Sequence, residues 1–168
     1  MKQQGTSRKE IKLVGFKERT NNVREMDPDT GIILLTIGRY LQSSLSEKQL
    51  EWVRPGRFFC VYTDYDSDEN GDYTYFVGGE VSSFEGIEED AAAEGIVTMT
   101  IPAQDYTEFT VGPGEMPQSC IEAWQKNWQM TPQELGGKRR YAADFEVYDE
   151  RAHDSQTAVF DLCIGISS

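Results

Sequence analysis

The chain has 168 residues, enough for one well-cored domain and too few for two independent domains of typical size. Its 16 Lys and Arg against 29 Asp and Glu give a formal net charge of -13, which disfavours binding to nucleic acid or to an anionic membrane surface. No apolar run approaches the roughly 20 residues that a membrane helix needs, and the opening MKQQGTSRKE lacks the apolar core of a signal peptide, so we expect a cytoplasmic protein.

The first half of the chain predicts one β-α-β-β unit. IKLVGFKER (11–19) alternates enough to predict an edge or early strand. Apolar residues then recur at helical intervals and predict a helix over about 30–45; they are Ile33, Leu34, Ile37, Leu41 and Leu45. GRFFCVYTDY and DYTYFVGGEVS predict two strands, and the Asn-Gly between them is a hairpin signal.

The second half predicts the same order of elements. VTMTIPA and DYTEFTVGPG predict strands, and ADFEVYDE and TAVFDLCIGI predict the closing pair. MPQSCIEAWQKNWQM predicts a helix that opens near Pro117 and aligns Ile121, Trp124 and Trp128 on one face. The chain therefore reads as a duplicated β-α-β-β unit.

A shift of 86 residues makes the duplication concrete. It lays FCVY (59–62) on FEVY (145–148) and FVGG (76–79) on LCIG (162–165). We predict a single α+β domain over residues 1–168, with repeat one at about 10–83, an acidic connector at about 84–95 and repeat two at about 96–168. Neither half has enough surface to bury its own sheet, so the repeats are expected to share one antiparallel sheet, with a ligand groove where they meet.

Glu146 is the residue that strand alternation leaves unexplained. Phe145 and Val147 alternate with it and are expected to pack in the core. Its counterpart under the shift is Cys60, so the strand itself does not require a charge at this position. Two interpretations stay open: the face of Glu146 is solvated, or it lines the groove and anchors a cation by charge and cation–π attraction.

Several aromatic residues are candidates for the walls of such a groove. A tyrosine offers an apolar body with a polar tip, and two tryptophans spaced four apart share one helix face. The candidates are Tyr40, Tyr62, Tyr148, Tyr106, Trp124 and Trp128. For at least one of the two tryptophans, a position in the core is the competing interpretation.

Other motifs predict structure rather than chemistry. The three cysteines have apolar neighbours and are expected to be buried, reduced thiols; they are Cys60, Cys120 and Cys163. His153, the single histidine, is expected in a hairpin loop, and with no C-x-x-C pair the chain has no zinc constellation. VGPGEMP (111–117) predicts a turn and helix entry rather than a nucleotide loop. We expect no metal and no cofactor.

The stretch DSDENGDYTYFV (66–77) resembles a calcium loop only in its first half. Asp66, Asp68 and Asn70 match ligand positions of an EF-hand, but the twelfth position, which requires a bidentate glutamate, is Val77. The flanks also predict strands rather than helices. An acidic, solvated hairpin tip is the favoured interpretation.

With these elements in order, the chain resembles the GyrI-like family of effector-binding domains, which occur on AraC-type and MerR-type bacterial regulators and as free-standing proteins. The resemblance is carried by the order and spacing of IPAQDYTEFTVGPG, the helix with AWQKNW, RRYAADFEVYDE and VFDLCIGI. It implies two pseudo-symmetric repeats of the SHS2 type with a ligand groove between them. It also implies that a glutamate of the penultimate strand meets lipophilic cationic ligands, and Glu146 is the matching position.

Three functions follow from these observations and the resemblance. The leading hypothesis is a free-standing protein that binds amphipathic small molecules, either cationic or aromatic, for sensing or sequestration. The second is a hydrolase of electrophilic, cyclopropane-bearing compounds, in which Glu146 is the one catalytic candidate and acts on water beside a tryptophan. The third is a protein partner, such as DNA gyrase or a regulator. Only ten or so residues precede the first predicted strand, so a DNA-binding module is not expected.

Overall fold

The computed structural model describes residues 2–87 and 94–167, and it confirms the predicted α+β class. The strands are β1 (Lys2–Arg8), β2 (Ile11–Thr20), β3 (Phe58–Thr63), β4 (Tyr73–Val81), β5 (Val97–Ile101), β6 (Gln104–Gly114), β7 (Lys138–Arg139), β8 (Ala143–Tyr148) and β9 (Ala158–Ser167). The helices are α1 (Asn22–Met26), α2 (Ile33–Gln42), α3 (Gln118–Trp128) and α4 (Pro132–Leu135). Single 3₁₀ turns lie at Leu45–Glu47 and Glu150–Ala152.

One antiparallel sheet holds the described strands in the order β1-β6-β9-β8-β3-β4-β2-β5, and β7 pairs with the end of β9. The order is symmetric about the central pair of β3 and β8, with β4 and β2 on one side and β9 and β6 on the other. Each outermost strand pairs with a strand of the other half. β1, from the first half, pairs with β6, and β5, from the second half, pairs with β2. The two halves therefore share one sheet, as the duplication predicts.

The edge of the sheet differs from the prediction. The strand predicted at 11–19 forms, but β2 lies between β4 and β5 and is not an edge. The edge next to β6 is β1, a strand that the sequence does not reveal because KQQGTSR has no apolar alternation and is mostly exposed. Backbone pairing with β6 holds β1 in an extended conformation, from Lys2 opposite Thr110 to Arg8 opposite Gln104.

The central register places Cys60 of β3 directly opposite Glu146 of β8. The pseudo-two-fold axis of the strand order passes between these two residues. In the flanking hairpins Cys60 pairs with Val77 whereas Glu146 pairs with Leu162, so the second hairpin is one residue shorter. The uniform shift of 86 is wrong for these outer strands, since it lays Phe76 on Leu162, which face opposite sides of the sheet.

The sheet has a core on each face. Helices α2 and α3 cover the face of Cys60, where the largest cluster includes Tyr73, Tyr75, Trp124, Tyr148 and Phe160. The opposite face carries a second cluster with Phe59, Val61, Tyr106, Phe145 and Val147. Phe145 and Val147 thus pack in the core as predicted. The repeat boundaries stay a prediction, and residues 88–93 of the acidic connector lie outside the described part of the chain.

Helix α2 is shorter and less buried than its apolar spacing predicts. The carboxylate of Glu25 accepts hydrogen bonds from the backbone N–H groups of Ile32 and Ile33, which stabilises the first turn. The helix ends at Gln42, so the predicted Leu45 is buried beyond it, in a 3₁₀ turn. Leu34 and Leu41 are 71% and 61% exposed and do not belong to the core stripe.

The secondary motifs take ordinary structural positions. Cys60 and Cys163 are buried, Cys120 is half-buried and none of them is bridged. His153 follows a 3₁₀ turn and is exposed. The segment VGPG belongs to β6, as predicted from DYTEFTVGPG, with Gly112 at a φ of 104° and an irregular pairing with β9. The predicted turn and helix entry are confined to Met116 and Pro117, directly before α3.

The acidic hairpin tip is tied to its surroundings by internal contacts. Arg19 of β2 pairs with Asp66 at 2.5 Å, and Tyr141 donates to Glu69. The backbone N–H of Asn70 donates to Asp68, which forms a local turn. Across residues 2–87 and 94–167, every helix is too short or too polar to cross a bilayer.

Candidate functional site

The carboxylate of Glu146 lies at the centre of the helix-covered face of the sheet. All six residues of β8 are buried, and Glu146 is only 2% exposed. Asp144 and Tyr148, which share its face, are 4% and 7% exposed. The interpretation that this face is solvated is therefore wrong: helix α3 and the aromatic side chains of neighbouring strands cover it.

Three aromatic donors hold the Glu146 carboxylate. Its Oε2 accepts hydrogen bonds from the Tyr62 hydroxyl at 2.6 Å and from Trp124 Nε1 at 2.7 Å. Its Oε1 accepts one from the Tyr148 hydroxyl at 2.5 Å. Hydrogen bonds to an ionised group are short and about twice as strong as neutral ones. We call Glu146, Tyr62, Tyr148 and Trp124 the acid–aromatic cluster.

The acid–aromatic cluster contains a buried carboxylate and no basic side chain from the described residues. None of the ion pairs in the described ranges involves Glu146. Burial, and next the charge of Glu146, raise the pKa of the Tyr62 and Tyr148 phenols well above the ordinary value. Both phenols therefore stay protonated and remain hydrogen-bond donors at neutral pH.

Further aromatic rings surround the acid–aromatic cluster. The Tyr62 ring lies 4.8 Å from that of Trp124, whose other neighbour, Trp128, is at 6.0 Å between ring centroids. Tyr148 stacks between Phe58 at 5.3 Å and Phe160 at 5.1 Å. The carboxylate thus lies at the base of an aromatic wall built from both halves of the chain.

The two helices present matching apolar flanks beside this wall. On α2 the flank is Leu34, Ile37 and Leu41, and on α3 it is Ile121, Trp124 and Trp128, with the same spacing of three and four residues. The first position is exposed on both helices: Leu34 at 71% and Ile121 at 46%. The space between these flanks is called the inter-helix groove below.

Contacts on the far sides of the helices orient the flanks toward the middle of the sheet. On α2, Arg39 lies away from Leu34 and its guanidinium is 4.5 Å from the Phe16 ring of the outer strand β2. On α3, Asn127 accepts a hydrogen bond from Arg139 of β7. Helix α2 lies over β2 and β4 and α3 lies over β6, so the flanks opposite these contacts are on the side of each helix nearer to the middle of the sheet.

The structure brings together some of the predicted site residues and separates others. Glu146, Tyr62, Tyr148 and Trp124 form one hydrogen-bonded cluster, whereas Trp128 and Tyr40 are half-buried at its rim. Tyr106 packs on the opposite face against Phe145, with ring centroids 5.1 Å apart, so its prediction as a groove residue is not supported.

Sequence reasoning missed Phe58 and Tyr75, two aromatic residues of the same face. Phe58 stacks on Tyr148, and Tyr75 pairs with Tyr62 across β3 and β4. The pairing of the hairpin around Asn70-Gly71 was a usable signal, because it sets which tyrosines lie opposite each other.

A second buried carboxylate, Asp144, has a structural role on this face. It accepts hydrogen bonds from the Tyr65 hydroxyl at 2.6 Å and from the backbone N–H of Gly165 at 2.7 Å. Burial raises the pKa of Asp144 to about 6, although both hydrogen bonds and the charge of Arg139 oppose the rise. Asp144 thereby links β8 to β9 and to the loop after β3.

Two surface cavities of the described residues lie away from Glu146. One, of about 260 Å³, is lined by Val14, Leu45, Lys48, Gln49, Leu50, Gly86, Ile87 and Ile96. The other, of about 330 Å³, lies beside the start of α3, between Gly112 and Glu122. Neither cavity is lined by Glu146, whose Oε2 is occupied by its two donors, Trp124 and Tyr62.

Solved structures share this fold over nearly the full chain. The Cass2 integron cassette protein from the mobile metagenome of Vibrio cholerae superposes with a TM-score of 0.74 at 22% identity, covering 98% of this chain and 95% of that one. SAV2435, solved bound to tetraphenylphosphonium, also superposes with a TM-score of 0.74, at 16% identity, covering 100% of this chain and 95% of that one. At these identities the likeness establishes the fold.

Sequence comparison establishes the family. YobU of Bacillus subtilis (strain 168), named as a provisional transcriptional regulator, is 26% identical over 155 residues, which cover 92% of this chain and 91% of that protein. The family model of Cass2, described as integron-associated effector binding protein, matches residues 6–166. The predicted GyrI-like resemblance is confirmed, and the chain belongs to the Cass2 family of integron-associated effector binding proteins.

Proposed function

We propose that the chain binds lipophilic cations in the inter-helix groove, with Glu146 as the anchor. The observation that carries the proposal is the buried Glu146 carboxylate, which accepts three aromatic hydrogen bonds and has no basic partner among the described residues. A cationic ligand would supply the positive charge that no described side chain places beside Glu146. Family membership as an effector-binding protein supports a small-molecule ligand.

The physical chemistry of the acid–aromatic cluster favours a cation with delocalised charge. Burying an ionised carboxylate is costly unless hydrogen bonds or an opposite charge compensate. Each aromatic face adds roughly 0.5–2 kcal/mol of cation–π attraction. Apolar surface of the ligand adds about 25 cal/mol per Å² removed from water. A strongly hydrated ammonium ion has no such surface, so the site selects bulky, weakly hydrated cations.

Access to Glu146 requires the aromatic lid to open. Trp124 comes from α3 and Tyr62 from β3, so the lid joins the two halves of the chain. Its residues contact each other by ring packing and share one carboxylate oxygen. A cation that approaches Oε2 replaces these two donors, and the freed rings then pack on its apolar groups. Such a coupling between binding and ring movement suits either sensing or sequestration.

A charge-reversed pair of probes tests the anchor. Tetraphenylphosphonium and tetraphenylborate have nearly the same shape and opposite charge, so the ratio of their dissociation constants reports sign selection. Wild type is expected to bind the phosphonium and to reject the borate. Glu146→Gln is expected to lose at least about 30-fold of phosphonium affinity, which corresponds to about 2 kcal/mol.

Asp144→Asn is the matched control for this experiment. It removes a buried carboxylate from the same strand and the same face, two residues away, without touching the acid–aromatic cluster. Its phosphonium affinity is expected to equal that of wild type. Equal phosphonium affinity in Glu146→Gln and wild type, measured by isothermal titration calorimetry, would reject the anchor.

A hydrolase of electrophilic compounds is the second candidate function. The observation in its favour is that Trp124, and not Trp128, contacts Glu146 directly, at 2.7 Å. A carboxylate beside an indole ring has the parts needed to orient water against a stacked aromatic substrate. Incubation of a cyclopropane-bearing electrophile with a hundredth of its amount of protein separates the two functions. Multiple turnovers that vanish in Glu146→Gln support an enzyme, whereas loss of one equivalent supports binding alone.

A further inference from the structure

Among the described residues, the core around Glu146 contains one fully buried aromatic hydroxyl that donates to no oxygen or nitrogen acceptor. Trp124, Tyr62 and Tyr148 all donate to the carboxylate. Tyr73, on the same face, donates to the side chain of Asn22 at 2.9 Å. The hydroxyl of Tyr75 is fully buried; its polar neighbour is the Cys60 thiol, a weak acceptor, and it makes no hydrogen bond of good geometry within the described part of the chain.

Tyr75 belongs to the same layer as the acid–aromatic cluster. It lies opposite Tyr62 in the pairing of β3 with β4, and its ring meets the Tyr62 ring edge-on at 5.2 Å. Burial, the neighbouring Cys60 thiol and the Glu146 charge raise the pKa of the Tyr75 phenol well above its ordinary value. The phenol is therefore a neutral donor throughout the physiological range.

An unpartnered buried hydroxyl is unusual and costs free energy. Most buried polar side-chain atoms in proteins have a partner, and exceptions call for an explanation such as a ligand or a water molecule. Trp124 Nε1 and the Tyr62 hydroxyl both donate to Glu146, and under the proposed function a ligand displaces these two side chains to reach the carboxylate. When a ligand displaces them, the Tyr75 hydroxyl is the donor beside Tyr62 that no oxygen or nitrogen acceptor of the described residues engages.

We propose that Tyr75 is a specificity residue of this site, whose hydroxyl selects ligands that carry a neutral oxygen acceptor next to their cationic, aromatic part. This inference rests on the proposed function, because it assigns a second polar contact to the same ligand. Glu146 then pairs with the charge of the ligand, and the Tyr75 hydroxyl donates a hydrogen bond to a carbonyl, ester or ether oxygen beside that charge. Cations built of hydrocarbon alone bind without using the Tyr75 donor.

A matched series of phosphonium ions tests this assignment. The probes are the 2-, 3- and 4-acetylphenyl derivatives of triphenylphosphonium, each paired with the isopropenyl derivative in which CH₂ replaces the carbonyl oxygen. Wild type is expected to prefer at least one acetyl probe over its partner by about 3- to 10-fold, the net effect of one hydrogen bond. In Tyr75→Phe this preference is expected to fall to about one.

Tyr106→Phe is the control, because Tyr106 is also buried and its hydroxyl is also unpartnered, but it lies on the opposite face of the sheet. It is expected to keep the wild-type preference. Phosphonium binding without an acetyl preference, or a preference that survives in Tyr75→Phe, overturns the role of Tyr75 and leaves the proposed function intact. No binding of any phosphonium overturns both.

The free protein supplies an independent measurement. Because the Tyr75 hydroxyl has no partner to lose, Tyr75→Phe is expected to keep or raise the thermal midpoint, as is Tyr106→Phe. A lower midpoint in Tyr75→Phe than in Tyr106→Phe means that the protein itself already uses the Tyr75 hydroxyl, and that result also overturns the assignment.

Discussion

The two halves of the chain place different residues at the same central position. Cys60 in β3 and Glu146 in β8 lie opposite each other across the pseudo-two-fold axis, one apolar and one charged. The tyrosines two residues beyond them, Tyr62 and Tyr148, both donate to the one carboxylate. The scaffold is thus symmetric while its charge is not, which leaves a single anionic site where a strict duplication would place two carboxylates or none.

The largest expected effect comes from making the centre symmetric. Cys60→Glu places a second buried carboxylate opposite Glu146, and neither charge has a basic partner in the described structure. We expect the free energy of unfolding to fall by roughly 3–5 kcal/mol at pH 7, the cost of an uncompensated buried charge. Urea unfolding measures this change.

Cys60→Val, which fills the position with an apolar side chain, is the control for that experiment and is expected to cost less than about 1.5 kcal/mol. If Cys60→Glu is as stable as Cys60→Val, the centre tolerates two carboxylates. The asymmetry between the halves is then not enforced by charge.

The next effect concerns Asp144, the second position where the halves differ, since its counterpart in β3 is Phe58. The pKa of Asp144 is raised from 3.8 to about 6 in the folded chain, so folding favours the protonated acid. Its contribution to stability is present below about pH 4 and is lost as the pH rises through 6. The resulting change in the free energy of unfolding between these two pH limits is at most about 3 kcal/mol.

The measurement is the difference in unfolding free energy between Asp144→Asn and wild type from pH 4 to 7.5. Asparagine does not ionise, so the difference should move in favour of the variant as the pH rises. A constant difference over this range would show that Asp144 titrates normally, and that burial on this face does not disfavour charge.

A smaller effect is expected on the free energy of unfolding when either of the two equivalent tyrosines, Tyr62 or Tyr148, loses its hydroxyl. Tyr62→Phe and Tyr148→Phe each remove one hydrogen bond to the Glu146 carboxylate, at 2.6 and 2.5 Å. Hydrogen bonds to charged groups contribute about 1.5–3 kcal/mol, so each variant should lose that amount of stability, and the two losses should agree within about 1 kcal/mol.

Tyr106→Phe serves as their reference, because its hydroxyl has no described partner and its loss should cost nothing. Thermal or urea unfolding of the three variants measures the effect. A loss in Tyr62→Phe much larger than in Tyr148→Phe would break the equivalence of the two halves around the carboxylate.

The smallest effect tests the apolar flank of α2. Leu34 and Leu35 are adjacent and almost equally exposed, at 71% and 73%, but only Leu34 lies on the flank of the inter-helix groove. Leu34→Gln is expected to weaken tetraphenylphosphonium binding about 3- to 5-fold, by loss of apolar contact with the ligand. Leu35→Gln should leave affinity unchanged, and both variants should unfold within about 0.5 kcal/mol of wild type.

Calorimetric titration of both leucine variants gives the comparison. Equal affinities would mean that the groove does not extend to the first turn of α2. The ligand would then contact the α3 flank, around Trp124 and Trp128, more than the α2 flank.

Several features of the fold followed from local pattern. The central strands, the two main helices and the hairpin at Asn70-Gly71 were predictable, because turn chemistry and apolar periodicity act over a few residues. Glu146 was conspicuous for the same reason: a charge between Phe145 and Val147 contradicts the local pattern of a strand that is buried on both faces.

Other features depend on partners far apart in the chain. The strand β1 has no apolar pattern and is ordered by β6, about a hundred residues later, so its sequence alone does not reveal it. The face of Tyr106 depends on register, since a shift of one residue in the pairing of β6 with β9 would move it to the other side of the sheet. The one-residue difference between the hairpins likewise appears only in the pairing.

The sequence by itself determined the α+β class, the duplication and the identity of the unusual carboxylate, because composition and short-range periodicity carry that information. The tertiary structure alone decided that Trp124 rather than Trp128 reaches Glu146, that Tyr62 and Tyr148 of opposite halves both donate to it, and that the Tyr75 hydroxyl has no oxygen or nitrogen acceptor among the described residues. The contacts of Trp124 and Tyr62 with Glu146 span 22 and 84 residues, and only the packing of α3 and β3 in the folded sheet brings them within hydrogen-bond distance.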